Sequence, residues 1–147
     1  MVRRMAAEGH AIGIHPWSHS PGFPTRRSGA MAADSLRCRE SLREITGVDT
    51  DLFRPPYGVT NPMVARAVKR TRSRCVGWSI RSLDTLRHRS REAVARRIRR
   101  RLGDGTVILL HDDRPGAGRL LALVLDDLER RGYRTATVCE LFKTEKP

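Results

Sequence analysis

Residues 106–112 read TVILLHD, a continuous apolar run of the kind a strand carries when both its faces are covered, with His111 standing at its C-terminal end. Just upstream, residues 91–102 (REAVARRIRRRL) set Val94, Ile98 and Leu102 at successive i, i+4 positions and fill the remaining faces with arginine. That spacing predicts an amphipathic helix, halted by Gly103, Asp104 and Gly105. Downstream, Leu121, Val124, Leu125 and Leu128 form an i, i+3, i+4, i+7 stripe closed by Gly132, after which residues 133–138 (YRTATV) turn strand-like again. Before all of these, residues 75–80 (CVGWSI) read as a short buried strand. Strands alternating with helices predict a parallel α/β sheet or barrel, in which active sites collect at the C-terminal ends of the strands.

The N-terminal half follows the same alternation. Residues 2–8 read as the tail of a helix ended by Gly9, and residues 10–15 (HAIGIH) alternate like a short strand. Three prolines and three serines make residues 15–29 (HPWSHSPGFPTRRSG) a loop, with Ser28 capping a helix over 29–46. Met31, Cys38, Leu42 and Ile45 share one face of that helix, and Gly47 is its C′ residue. Residues 52–58 (LFRPPYG) then lead through Asn61 as a cap and Pro62 at the first helical position into MVARAVKR. No repeat and no low-complexity linker divides the chain, so one domain over residues 1–147 is expected.

Composition narrows the function classes. The chain has 147 residues with a charged fraction of 31% and a hydrophobic fraction of 39%, which predicts a globular chain able to bury a core. No apolar run approaches the roughly 18–20 residues that span a bilayer, and the first residues lack the apolar stretch of a signal peptide. A membrane role is not expected, and the cytoplasm is the default compartment. The net charge is +13, but residues 66–101 hold 13 Arg and one Lys against Asp84 and Glu92, so nearly all of the excess is local. Of the 29 basic residues 26 are Arg, a skew that codon bias alone produces, and a solvated basic face is the first reading. Cys38, Cys75 and Cys139 form no CxxC pair, which argues against a disulfide framework or a structural zinc site.

Three groups of residues can carry chemistry. His15 and His19, in HPWSH, are four apart, a spacing at which two imidazoles can share a divalent metal. By themselves they are equally two loop histidines. Arg54, Pro55, Pro56 and Tyr57 form a proline-fixed segment that can hold the Tyr57 N–H as an oxyanion donor and Arg54 against a carboxylate. The same segment also reads as a rigid turn between helices. Asp84 in WSIRSLDT and His111 at a strand end can form the carboxylate–imidazole pair that a general acid needs, or stand separately as a turn residue and a satisfied polar group.

Taken in order, GHAIGIHPWSH, FRPPYG, WSIRSLDT and VILLHD resemble the polysaccharide deacetylases of carbohydrate esterase family four, the NodB-homology group. The likeness extends from about Val2 to Phe142. It implies a deformed (β/α) barrel and a hydrolase that removes acetyl groups from N-acetylated sugars with a divalent metal, often zinc. By the resemblance His15 and His19 are metal ligands, and Arg54 and Tyr57 fall in an RxPY motif whose Arg positions the catalytic base and whose Tyr N–H faces the oxyanion. Asp84 would orient the catalytic histidine, and Leu110 and His111 fall in the LxH motif that carries the general acid. Trp17, Pro56, Trp78 and Leu110 would line the substrate pocket.

The sequence also departs from the family pattern. A TFDDG-like first motif, with the base Asp and a third metal ligand, belongs upstream of HxxxH; the 14 residues before His15 contain Glu8 and no Asp. Pro16 replaces a small polar residue, Arg81 stands where many members carry Asp, and Thr85 where many carry Trp. The expectation is therefore an incomplete barrel without its first strands, and a truncated or impaired deacetylase. Two other readings compete: a non-catalytic glycan-binding module using Trp17, Tyr57 and Trp78, and a basic nucleic-acid-binding protein using residues 66–101, which is the least expected.

Overall fold

The computed structural model describes residues 1–144 and divides into two compact units after Gly77. The first unit holds helices α1 (Val2–Ala7), α2 (Ser28–Thr46) and α3 (Pro62–Arg70), with strands β1 (Leu52–Phe53) and β2 (Arg74–Cys75). β1 and β2 run parallel, with Leu52 opposite Arg74 and Phe53 opposite Cys75, so β1, α3 and β2 form a strand–helix–strand crossover. The other edge of β1 is taken by Ile14, whose N–H donates to Leu52 O at 2.7 Å and whose carbonyl accepts from Arg54 N at 2.9 Å. Gly13 allows that approach, because a Cβ there would lie 3.2 Å from Leu52 Cβ and 3.3 Å from Leu52 O. The core of this unit packs Ile14, Phe23, Met31, Phe53 and Val64, with Ala32 and Ala67 filling in.

The second unit holds β3 (Ile80–Arg81), α4 (Arg91–Arg99), β4 (Ile108–Leu109), α5 (Ala117–Arg130) and α6 (Val138–Thr144). β3 and β4 are again parallel, with Ile80 opposite Ile108 and Arg81 opposite Leu109, and α4 makes the crossover. Ile80, Val94, Ala95, Ile98, Leu120 and Val124 form its core. Among the described residues no helix is long and apolar enough to cross a membrane.

Helix boundaries follow local chemistry. Asn61 Oδ1 accepts from the N–H groups of Met63 and Val64, and Pro62 follows it, as expected. The Ser90 hydroxyl caps α4 through Ala93 N, and α4 ends in Arg96, Arg97 and Arg99, whose charges suit the helix C-terminus. Gly47 ends α2 in the left-handed region at φ 73°, as read from the sequence.

Six expectations are corrected. Ser28 is the first residue of α2 and makes no capping bond; Arg27 occupies the cap. Only Ile14 of the stretch 10–15 pairs with a strand. The single strand expected over 75–80 is divided, because Cys75 pairs with β1 whereas Ile80 pairs with β4. The α5 stripe is rotated by one residue: Leu120 and Val124 are buried, while Leu121 and Leu125 are 47% and 44% exposed. Residues 133–137 form no strand, and Val138 begins α6. Residues 107–110 are also only half-buried, not covered on both faces.

Candidate active site

In the first unit, the loop after Ile14 carries His15 and His19 through a tight turn closed by His19 N to Pro16 O at 3.2 Å, with His19 in the left-handed region at φ 39°. A turn, not a helix, spans the two histidines. It brings the two imidazole centroids to 4.8 Å at a tilt of 59°. His15 Nδ1 lies 2.7 Å from the Arg54 carbonyl oxygen, an acceptor, so Nδ1 carries the proton and Nε2 keeps the lone pair. A backbone carbonyl behind the ring is the usual support for a metal-binding histidine.

Tyr57 closes the other side of this cluster. Its backbone is left-handed at φ 58° and ψ 4°, inside the Pro56–Gly58 turn. The bonds that close the turn come from Gly58 N to Pro55 O and from Val59 N to Pro56 O, not from Tyr57. The Tyr57 hydroxyl donates to His19 O at 3.3 Å, and its ring meets the His19 ring edge-on at 4.9 Å. Pro56, the residue before Tyr57, is buried. Arg54 donates from Nε to Val76 O and from Nη2 to Gly77 O, both at 3.1 Å, and burial pushes its guanidinium below the ordinary arginine value. Trp17 is 49% exposed, with the Arg37 guanidinium 4.3 Å above its ring.

Sequence reasoning missed Asp34. From α2 its Oδ2 accepts from Ser18 N at 3.2 Å and so holds the middle of the HPWSH turn, while Arg26 donates to the Ser18 hydroxyl and stands 3.9 Å from Asp34. No local pattern marks this contact, which joins residues 16 apart.

In the second unit, Asp84 is 2% exposed and gathers three donors. His111 Nδ1 lies 2.9 Å from Oδ1, His111 N donates to Oδ2 at 2.7 Å, and the Ser82 hydroxyl donates to Oδ1 at 2.9 Å. Burial works against the ionised carboxylate, but these bonds from His111 and Ser82 outweigh it and hold Asp84 below the usual aspartate value. With Nδ1–H committed to Asp84, Nε2 is the His111 nitrogen left to exchange a proton. Arg91 braces the loop by donating to Asp84 O at 3.0 Å. Ser82 was detectable as a Ser-x-Asp turn signal; Arg91 was not. Leu110 packs against the core of this unit and Trp78 is half-buried.

The donor set bears on a metal. His15 and His19 are two nitrogen ligands of the kind zinc takes, but among the described residues no group of three or more His, Cys, Asp or Glu side chains is placed to hold an ion. The pair fits as part of a site.

These features define an α/β protein that gathers imidazole and carboxylate groups on the loops and ends of short parallel strands. The family model of polysaccharide deacetylases matches residues 1–76, and the chain belongs to that family. It is similar to a peptidoglycan-N-acetylglucosamine deacetylase of Listeria monocytogenes, 28% identical over 142 residues, covering 97% of this chain and 29% of that protein. Among solved structures it resembles a family 4 acetyl xylan esterase from Clostridium thermocellum in complex with a cobalt ion: TM-score 0.88, 30% identity, 97% of this chain and 68% of the other. It also resembles the peptidoglycan deacetylase PdaC of Bacillus subtilis: TM-score 0.86, 25% identity, 97% of this chain and 68% of the other. The fold is thus the α/β fold of these deacetylases over the part they share. The chain spans less than a third of the length of the Listeria enzyme.

Proposed function

We propose that this chain is part of a metal-dependent hydrolase that removes acetyl groups from N-acetylated glycans, peptidoglycan being the kind named for its relatives. The observation that carries this reading is the buried Asp84 carboxylate that accepts from both the backbone N–H and the ring Nδ1–H of His111. An imidazole held in one tautomer by a carboxylate kept ionised is suited to give a proton from Nε2 to a leaving amine, because the carboxylate stabilises the imidazolium that precedes transfer.

The other residues take roles consistent with this. The Tyr57 N–H, held by a left-handed turn, would donate to the developing oxyanion. Arg54 would position the base carboxylate, which the first family motif supplies and which has no counterpart in the residues before His15. In the first unit Trp17 and Pro56, and in the second Trp78 and Leu110, would contact the sugar or its acetyl group. His15 and His19 would hold a divalent metal, zinc in the first instance. When bound, such an ion polarises the acetyl carbonyl and lowers the pKa of water. We read residues 1–147 as one partial deacetylase domain made of the two units.

The test is a zinc competition titration followed by acetate release from N-acetylglucosamine oligomers. His15→Ala and His19→Ala should each weaken zinc by at least about tenfold, while His111→Ala should leave zinc affinity within about twofold and abolish any acetate release. Equal effects of all three substitutions on zinc would remove the metal assignment. Oligomer binding with no acetate release from the zinc-loaded chain would favour the non-catalytic glycan-binding reading.

A further inference from the structure

Residues 81–101 hold nine arginines against two carboxylates, Asp84 and Glu92, and neither carboxylate answers them. Asp84 is committed to His111 and Ser82, and Glu92 pairs with Arg119 of α5 at 2.6 Å. Arg99 reaches Asp127 at 3.8 Å. Among the described residues none of Arg81, Arg89, Arg96, Arg97, Arg100 and Arg101 forms an ion pair. α4 turns Val94, Ala95 and Ile98 into the core, which leaves Arg96, Arg97 and Arg100 on its outer side.

Within this face Arg97 lies in the field of two other guanidinium groups. Arg97 is anchored by its Nε to the Arg81 carbonyl oxygen at 3.1 Å. Partial desolvation, then the charges of Arg101 and Arg89, push the Arg97 guanidinium below the ordinary arginine value. Among the described residues the buried Arg89 Nε finds no hydrogen-bond partner. A buried orphan donor beside like charges is unfavourable unless an anion completes the arrangement.

We infer that Arg89, Arg97 and Arg101, with Arg96 and Arg100 flanking them, form a docking face for a phosphate-linked polyanion bound through its phosphates. Arginine suits phosphate because its planar fork can donate two parallel hydrogen bonds. Residues 81–101 contain no Phe, Tyr or Trp on which nucleobases could stack, which favours a phosphate chain without bases as the polymer recognised.

The experiment uses the full chain with fluorescently labelled inorganic polyphosphate, titrated at about 50 and about 200 mM NaCl. Binding should weaken steeply with salt. Arg97→Gln/Arg101→Gln should reduce affinity by about tenfold or more and flatten the log–log salt slope by about one per arginine removed. Arg97→Lys/Arg101→Lys should keep the slope, and Arg119→Gln, which removes the partner of Glu92, should leave polyphosphate affinity unchanged. Absence of binding at the lower salt, or a double Gln variant that binds like the parent while retaining its far-UV circular dichroism, would overturn the inference. Oligothymidylate bound at least about tenfold more tightly than polyphosphate of equal charge would also overturn it, in favour of nucleic acid.

Discussion

Asp84 shows how much one residue can organise. Its two oxygens receive a backbone N–H, a ring N–H and a hydroxyl, while its own carbonyl receives Arg91. Asp84→Ala leaves those donors without their acceptor and should destabilise the chain by about 1–3 kcal/mol at neutral pH, read from urea unfolding. The pH dependence has a definite sign. Asp84 is held below its usual pKa, so its stabilisation is complete above the unfolded value of about 3.9 and is lost as pH falls through the lower folded value. The gap between parent and Asp84→Ala should therefore be present above about pH 4 and shrink as the pH falls below it; a gap that persisted undiminished into strong acid would contradict the ionised-acceptor geometry.

Elements in this chain differ in how far local chemistry determines them. Asn61 serves α3 twice over, taking N–H groups from Met63 and Val64 while its amide donates to Pro24 O at 2.8 Å. Ser90 takes a single N–H, that of Ala93. Asn61→Ala should cost about 1–2 kcal/mol and Ser90→Ala about 0.5–1 kcal/mol, compared by chemical denaturation. The Asn61 cap was legible in the sequence because a cap is written within four residues. The strands were legible only in part, because β4 lies within the apolar run read at 106–110 but strand bounds and partners could not be read. Each is two residues long and exists only through a partner 22 or 28 positions away, which is why CVGWSI reads as one strand and is two. α5 carries two overlapping leucine stripes, and the choice of Leu120 and Val124 over Leu121 and Leu125 is made by Ile80, Val94 and Ile98, not by the helix. At the site, His15, His19, Tyr57 and the Asp84–His111 pair stood out as motifs, whereas Asp34 and Arg91 act through tertiary contacts that no motif contains.

On the scale of the whole molecule, charge dominates. A net +13 on 147 residues, concentrated in residues 66–101, makes the folded chain repel itself. Raising NaCl from about 20 to about 200 mM shortens the screening length from about 20 to about 7 Å and should raise the thermal midpoint, by roughly 2–4 °C for each kcal/mol of repulsion relieved. A midpoint that falls over this range would mean that the surface ion pairs, such as Arg39 with Asp49 and Arg74 with Asp51, outweigh the repulsion. Hydrophobic burial is divided between two clusters, one built on Ile14, Phe53 and Val64 and one on Ile80, Ile98 and Val124. Each crossover helix contributes to the core of its own strand pair.

The contact between Gly13 and β1 limits which sequences can occupy this fold. The obstacle to a larger residue includes the Leu52 carbonyl, a main-chain atom that cannot rotate away as a side chain would. In a randomised library selected for folding, position 13 should be among the least variable in the first unit, although it carries no functional group. Two residues later the chain reaches His15, so drift in the loop that carries His15 and His19 is restrained by a residue with no side chain of its own.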